Sequence, residues 1–575
     1  MKKYTVALIC IIPAVLLFLF YQFHYWGMLH YSEQYQIFLF TKKFLSDHLW
    51  YPGGIMDYLG QFLTQFFIFR SWGSIIMAIC FGLGTYLVHL FTKSTNANYN
   101  KDLQALVLVP MAATWAFMVT NYANLSFALS MIVSIAFAVL YTRINNKYSN
   151  IILLPLVYWA TCYGVFVYAA LCLIWHIGKK HSNLSALTLL TALYVAVILL
   201  TTYHFNSLRF HSLCFGWHFN KNPIEHLNSE FFAMIVTVAT PAALLFINKV
   251  QYKWIINAVI VAASVGYIYK MQMPLMNQMY KLNYHAQNEQ WKSILKYDEE
   301  KLIRHDLTLA TRNLALAKTN RLLDEMFDIE QSDYQCLLPD WHYDFVTPVF
   351  LGEIMYNLSN VSLAQRYFSE CNNAISDYQK SAKCYVRMTE CSMLNREEKL
   401  TRKNARILQN TLFYKNFADS ILYMCDNTNE IMKNKKYSQM INNGYKIDAL
   451  YFKTEPEQML KIQLLGSPRN YVAVQYLLAL NLIRKDLDAL MQNMQYLKPF
   501  NPNSTPRYVA QALTIVWYES KNKNINIPEI YKREITEFMQ FAQNNSFSEV
   551  TDRYKNSYYF HYYCKDYKNE ISAEN

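Results

Sequence analysis

From residue 1 to residue 270 the chain is a succession of long, nearly charge-free apolar stretches separated by short polar gaps. A hydrocarbon core takes about 20 apolar residues per helix. The stretches 5–20, 73–90, 105–120, 125–141, 186–202, 231–247 and 254–269 each read as one membrane-spanning helix. The stretch 151–177 is too long for one passage and short for two, and it carries Pro155 and Gly164, which break or turn a helix. Beyond residue 270 this pattern ends. After a linker at 271–282, apolar positions at helical spacing alternate with short polar turns through 283–575, with almost no β-type alternation. The predicted fold is therefore all-α: a polytopic transmembrane bundle over 1–270 followed by a helical-repeat domain over 283–575.

Charge fixes the orientation. The net charge of +12 divides unevenly, with 16 Lys/Arg against 6 Asp/Glu in residues 1–270 and 37 against 35 in the rest. An excess confined to membrane loops reflects the retention of Lys and Arg on the cytoplasmic side and removes nucleic acid as a partner. If 151–177 passes twice, Lys2/Lys3, Lys93/Lys101, Arg143/Lys147, Lys179/Lys180 and Lys249/Lys253 all fall in cytoplasmic gaps, opposed only by Asp102. A single passage breaks that alternation. The expectation is about nine spans in a bacterial inner (cytoplasmic) membrane, with the N-terminus cytoplasmic and the C-terminal domain periplasmic. Lys2, Lys3 and the first apolar run look like the start of a secretory signal. No small-x-small cleavage site follows, and the next residues, Tyr21 to Trp26, form an aromatic interfacial belt. The segment reads as an uncleaved anchor.

In the second half, one segment falls in the register of a tetratricopeptide repeat. Leu351, Gly352, Ala364 and Phe368 occupy its packing positions, the small residues letting two helices approach and the phenylalanine filling the groove. The expected architecture there is a tetratricopeptide-like α-solenoid closed by the Tyr-rich C-terminus. Solenoids present concave surfaces that bind peptides and proteins. The eleven cysteines show no C-x-x-C spacing, so no metal site or thioredoxin-like chemistry is expected. Cys384 and Cys391 lie about 10 Å apart along one helix and cannot pair with each other. No cofactor motif appears.

Chemistry, if present, belongs to the long outer loop 24–71. Its second part places Asp57, Gln61, Thr64 and Gln65 at i, i+4, i+7 and i+8, one polar stripe on an otherwise apolar helix. The order of one span, an acidic residue, an amphipathic helix, the Tyr51-Pro52-Gly53-Gly54 turn and a second interfacial helix resembles the opening of the polyprenyl-phosphate-dependent membrane glycosyltransferases of the GT-C superfold. That resemblance implies an acidic residue acting as base near the acceptor. The matching position here is Ser32-Glu33, where the family has a pair of acids. It would make Glu33 the general base with Asp57 supporting it, and Arg209 and His211 in another outer loop the groups binding a lipid phosphate. His204, His211 and His218 repeat every seven residues, about 10 Å per step, too far apart for one metal ion. Taken whole, the chain also resembles a family of bacterial membrane proteins of unknown function, a likeness carried by 313–327 and by the Tyr51-Pro-Gly-Gly54 loop. Two functions follow as expectations: a membrane-anchored scaffold in envelope assembly, working on the bilayer and on envelope proteins or peptides, or a transferase moving a sugar from a polyprenyl-phosphate lipid.

Overall fold

The computed structural model describes the chain except residues 1, 96–102, 121–122, 145, 180–183, 205–222, 247–251, 298–301, 376–378, 447–454, 501–504, 521–526 and 566–575. The described residues form helices and turns with no β-strand. They divide into two compact units. The first holds residues 1–280 with 375–382 and 410–413, and the second holds the remainder. The expected linker at 271–282 carries most of a helix, Pro274–Gln287. The two outlying segments join the first unit through specific contacts. The Asn410 carbonyl accepts the Phe40 N–H at 2.7 Å, and the Phe413 ring lies edge-on to Phe66 and Phe69 at 5.6 and 5.3 Å.

Every apolar stretch read from the sequence is helical. Arg70–Thr95, Leu125–Ile144 and the 229–246 portion of Pro223–Phe246 are long and apolar enough to cross a membrane. Two bent pairs raise that number to five if each counts as one span. The first bends by 80° where a π-helical turn, Phe20–His24, meets Trp26–Gln34. Tyr25 holds the corner: its hydroxyl donates to the Val119 carbonyl at 2.6 Å and accepts the Met273 N–H at 2.7 Å. The second bends by 60° between Lys253–Lys270 and Pro274–Gln287.

The stretch 151–177 resolves into two helices, Asn150–Thr161 and Gly164–Gly178, broken at Cys162 with φ 49°. They double back, as Tyr168 donates to Asn150 Oδ1 at 2.5 Å. Gly164–Gly178 runs parallel to Leu125–Ile144. Phe127 stacks on Tyr163 at one end, and Tyr141 bonds His176 at 2.9 Å at the other.

Large apolar side chains lie on the outside of this unit as well as in its core. Ile152, Leu200 and Ile235 are 71, 69 and 63% exposed, and many other large apolar side chains of these helices face outward. The buried positions include Thr85, Thr92, Thr114, Ser134, Thr161 and Thr237. Their hydroxyls are satisfied by carbonyls one turn back, at 2.7–2.9 Å. Apolar side chains outside, with small hydroxylated residues among the buried ones, suit helix packing in lipid.

The second unit is built from helix–turn–helix pairs sharing one turn. Glu289, Asn320, Ser359, Arg396 and Lys485 all take left-handed φ, between 54° and 64°. Each sits two residues past a helix: Pro274–Gln287, Asp306–Lys318, Val346–Asn357, Ala382–Leu394 and Tyr471–Ile483. In every case the following residue donates its N–H five positions back, as in Asn360 to Met355 at 2.9 Å and Asp486 to Asn481 at 3.0 Å. This is a Schellman closure, which satisfies the orphan carbonyls of the helix end. The pair Val346–Asn357 and Val361–Ala374 shows why small residues are needed between the helices. A Cβ on Gly352 would stand 2.7 Å from Phe368 Cζ. Leu351, Ala364 and Phe368 are all at most 1% exposed beside it.

A buried charge cluster ties three of these helices together. Arg387 bonds Glu353 at 2.8 and 3.0 Å and Glu390 at 2.8 Å, and its guanidinium lies 4.3 Å from the centre of the Tyr356 ring. Tyr437 donates to Glu390 at 3.0 Å, and Lys436 lies 3.6 Å from it. The C-terminal helix Tyr558–Cys564 buries Tyr558, Tyr559, Phe560 and His561, with the His561 ring 4.2 Å from that of Phe327.

Candidate functional site

Residues 24–71 are largely helical. Trp26–Gln34, Lys42–Leu49 and Gly54–Thr64 follow one another, the second started by Thr41 accepting the Phe44 N–H at 3.1 Å. Gly53 takes φ 88°, which turns the chain into the third helix. The amphipathic helix Gly54–Thr64 packs against Leu125–Ile144 and Asn150–Thr161.

Glu33 is 3% exposed, within a buried polar group containing His30 and Gln34, whose side chains bond to each other. The Tyr280 ring lies edge-on to Tyr31 at 4.8 Å on the same helix. The neighbouring Ser32, with Gln36 and Thr64, lines a cavity of about 10 Å³, room for roughly one water. Of the polar stripe, Gln61 and Thr64 are buried, and Asp57 and Gln65 are half-buried. Thr64 turns its hydroxyl back to the Gly60 carbonyl at 2.7 Å, and Gln65 bonds the Phe62 carbonyl at 2.9 Å. Gln61 instead reaches His48. Its amide bonds His48 Nε2 at 3.1 Å, and His48 Nδ1 donates to the Phe44 carbonyl at 2.8 Å. Asp57 accepts the Tyr51 hydroxyl at 3.0 Å.

The same end of the unit gathers groups that sequence reading did not select. The hairpin turn at Tyr163 lies within electrostatic reach of both Asp57 and Glu230, and its hydroxyl is hydrogen-bonded by Ser130. Gly53 donates to the Trp159 carbonyl at 2.9 Å, and the Trp50 ring lies 5.2 Å from that of His204. Arg70 places its guanidinium 5.7 and 5.3 Å from the centres of the Phe23 and Trp26 rings. Glu230 and His48 carried no local signal: Glu230 directly precedes an apolar run, and His48 follows Asp47 in a short mixed segment, with no motif around either. Arg209 and His211 lie outside the described residues. Among the described residues no group of three His, Cys, Asp or Glu side chains is placed to hold a metal ion.

In the second unit, a polar concavity of about 750 Å³ opens between Lys435–Asn443 and the turn at 466–469. Its lining includes Lys435, Gln439, Asn442, Ser467 and Arg469. The floor is held by Ser467 donating to the Asn442 and Gly444 carbonyls at 3.1 and 2.6 Å. Lys435 and Arg469 are exposed, and neither makes an ion pair among the described residues.

A model of the family of unknown function DUF6057 matches residues 2–565, so the chain belongs to that family. No curated protein and no solved structure matches it.

Proposed function

We propose that this member of the DUF6057 family is an inner-membrane scaffold of the bacterial envelope. In this reading it crosses the bilayer nine times with its N-terminus in the cytoplasm. Its tetratricopeptide-like solenoid then stands in the periplasm and binds envelope proteins or peptides. The observation that carries the reading is the recurrence of one turn, at Glu289, Asn320, Ser359, Arg396 and Lys485, in a unit that also holds a polar concavity with two cations that make no ion pair among the described residues. Repeated helix pairs that each bury one face against the next form a surface suited to partners rather than to chemistry. The doubling back of 150–178 favours the even passage of that stretch on which the nine-span count depends. A photo-cross-linking residue at Gln439 tests the scaffold in growing cells. The expected result is a discrete adduct that Lys435→Glu with Arg469→Glu abolishes at unchanged protein level. No adduct, or one indifferent to the two charges, refutes it.

A second reading has one specific observation in its favour. Asp57 and Glu230 both lie within electrostatic reach of Tyr163, so acids other than Glu33 stand in this unit, where Ser32-Glu33 supplies only one. In a GT-C-like transferase Glu33 would be the base and Asp57 its support, with Arg209 and His211 holding a polyprenyl phosphate. Surface glycans profiled in a deletion strain carrying wild type, Glu33→Gln, Asp57→Asn or Glu230→Gln decide it. A profile equal in all strains ends the transferase reading.

A further inference from the structure

We propose that Cys371 and Cys384 are a disulfide pair, closed when the second unit folds in an oxidising compartment. Cys371 lies in Val361–Ala374 and Cys384 in Ala382–Leu394, and both thiols are buried, at 0 and 2% exposure. Their sulfurs are 3.0 Å apart and the residues are 13 positions apart in the chain. Closure to a bond of about 2.05 Å needs an approach of about 1 Å, within the reach of small χ1 rotations on two packed helices. The neighbouring thiols do not compete. Cys391 is seven residues further along the helix of Cys384, about 10 Å away on its axis. Cys336 is engaged by the Ser332 hydroxyl at 2.9 Å.

Oxidation requires a disulfide donor of the thiol–disulfide oxidase class. One cysteine thiolate attacks a donor sulfur and expels the other donor sulfur as thiolate, giving a mixed disulfide. The second cysteine thiolate then attacks the first cysteine's sulfur and releases the donor as a dithiol. Two electrons and two protons pass to the donor, one protein S–S bond forms and the donor S–S bond is lost. Because both thiols are fully covered once the helices pack, the exchange belongs to folding, and the finished bond is shielded from reductants. The short separation favours closure of this loop over longer ones.

Closure in the cell rests on the periplasmic placement proposed above, and the test separates the two ideas. Cells are quenched with N-ethylmaleimide, and the full-length protein is isolated in detergent, digested without reduction and weighed by mass spectrometry. The expected result is a linked Cys371–Cys384 peptide with loss of nearly all alkylation at both sites. In a second arm the full chain is reduced in urea and returned to detergent with oxidised glutathione. If both cysteines are alkylated in cells but the same link forms in this arm, the pairing stands and the periplasmic placement fails. If no link forms in either arm, or if Cys371 and Cys384 join other cysteines, the proposal is overturned.

Discussion

Replacing Arg387 with Met should destabilise the second unit severely, because it removes the guanidinium that bonds two buried carboxylates. Arg387 is 8% exposed, Glu353 2% and Glu390 4%. At an effective dielectric constant of about 20, each ion pair at 2.8 Å is worth roughly 6 kcal/mol of gross attraction. Most of that is offset by the desolvation of three charges, so the intact cluster contributes little net stability. Removing the arginine leaves the desolvation cost without the attraction, and about 3–5 kcal/mol is the expected loss. Burial acts to raise the Glu390 pKa, yet Arg387, Lys436 and the Tyr437 hydroxyl hold it below the usual carboxylate range. Burial likewise works against the charge on Arg387, and Glu353 and Glu390 override it.

The two carboxylates are not equivalent. Glu390 keeps Lys436 and Tyr437 when Arg387 is gone, whereas Arg387 is the partner of Glu353. Glu353→Gln in the Arg387→Met background should therefore recover more stability than Glu390→Gln. Pulse proteolysis of the full chain in detergent across a urea series reads this directly. With a slope near 3 kcal/mol per molar, the Arg387→Met midpoint falls by about 1–1.7 M. A drop below about 0.3 M, or equal recovery by the two glutamine changes, would refute the reasoning.

Burial pushes His561 down to about 3, against the Ile483 carbonyl and with Lys565 and Lys485 adding to the burial. The unfolded chain takes up a proton near pH 6.5 that the folded chain refuses, so stability is lost as pH falls below 6.5. About 2–3 kcal/mol should disappear by pH 4.5 in wild type and not in His561→Gln, read as urea midpoints at each pH. Gly352→Ala should cost about 1–3 kcal/mol by driving a methyl into Phe368, and Phe368→Leu should relieve part of it; additive losses would show that the two residues do not compete for space. Tyr25→Phe strands the Val119 carbonyl and the Met273 N–H together and should lower the thermal midpoint of the detergent-solubilised protein, with a loss of about 1–3 kcal/mol for each stranded group. An unchanged midpoint would mean that water replaces the hydroxyl at that corner.

What the sequence made legible was whatever depends on the hydrophobicity of neighbouring residues. The apolar runs of 1–270 are helices, and the Gly352–Phe368 contact follows from a small residue opposite a large one. The repeated turn was not legible. Asn320 is a residue type that tolerates left-handed backbone readily, but Glu289, Ser359, Arg396 and Lys485 are not. The closing bonds that force those positions come from helix geometry rather than from side-chain type. The Arg387 cluster was hidden for a different reason: Glu353 and Glu390 look like solvated helix faces until the fold brings Arg387 between them. Glu230 and His48 were missed because neither belongs to a periodic polar pattern or to a chemical motif. The Asp57 stripe was found by periodicity, yet its members part company. Gln61 turns to His48, Thr64 to the backbone and Asp57 to Tyr51, so a shared face did not make a shared site.

Helix length decides how the nine-span proposal can fail. Arg70–Thr95, with 26 residues, is about 39 Å long, and Leu125–Ile144, with 20, is about 30 Å, enough for a hydrocarbon core. Asn150–Thr161 and Gly164–Gly178 have 12 and 15 residues, about 18 and 22 Å. A hairpin that short either crosses where the bilayer is thinned and its flanks are interfacial, or stops inside it. Its tip lies against the outer loop, with the Trp159 carbonyl bonded to Gly53 and the Trp159 indole donating to the Leu49 carbonyl. Its far end carries the exposed Lys179. Trp50, 62% exposed, marks the tip side without being part of the hairpin. In a background lacking other reactive cysteines, Trp50→Cys should react with a membrane-impermeant maleimide from the periplasm, and Lys179→Cys only after the inner membrane is opened. If both react before opening, the hairpin does not carry the chain back to the cytoplasm. The nine-span count falls with it.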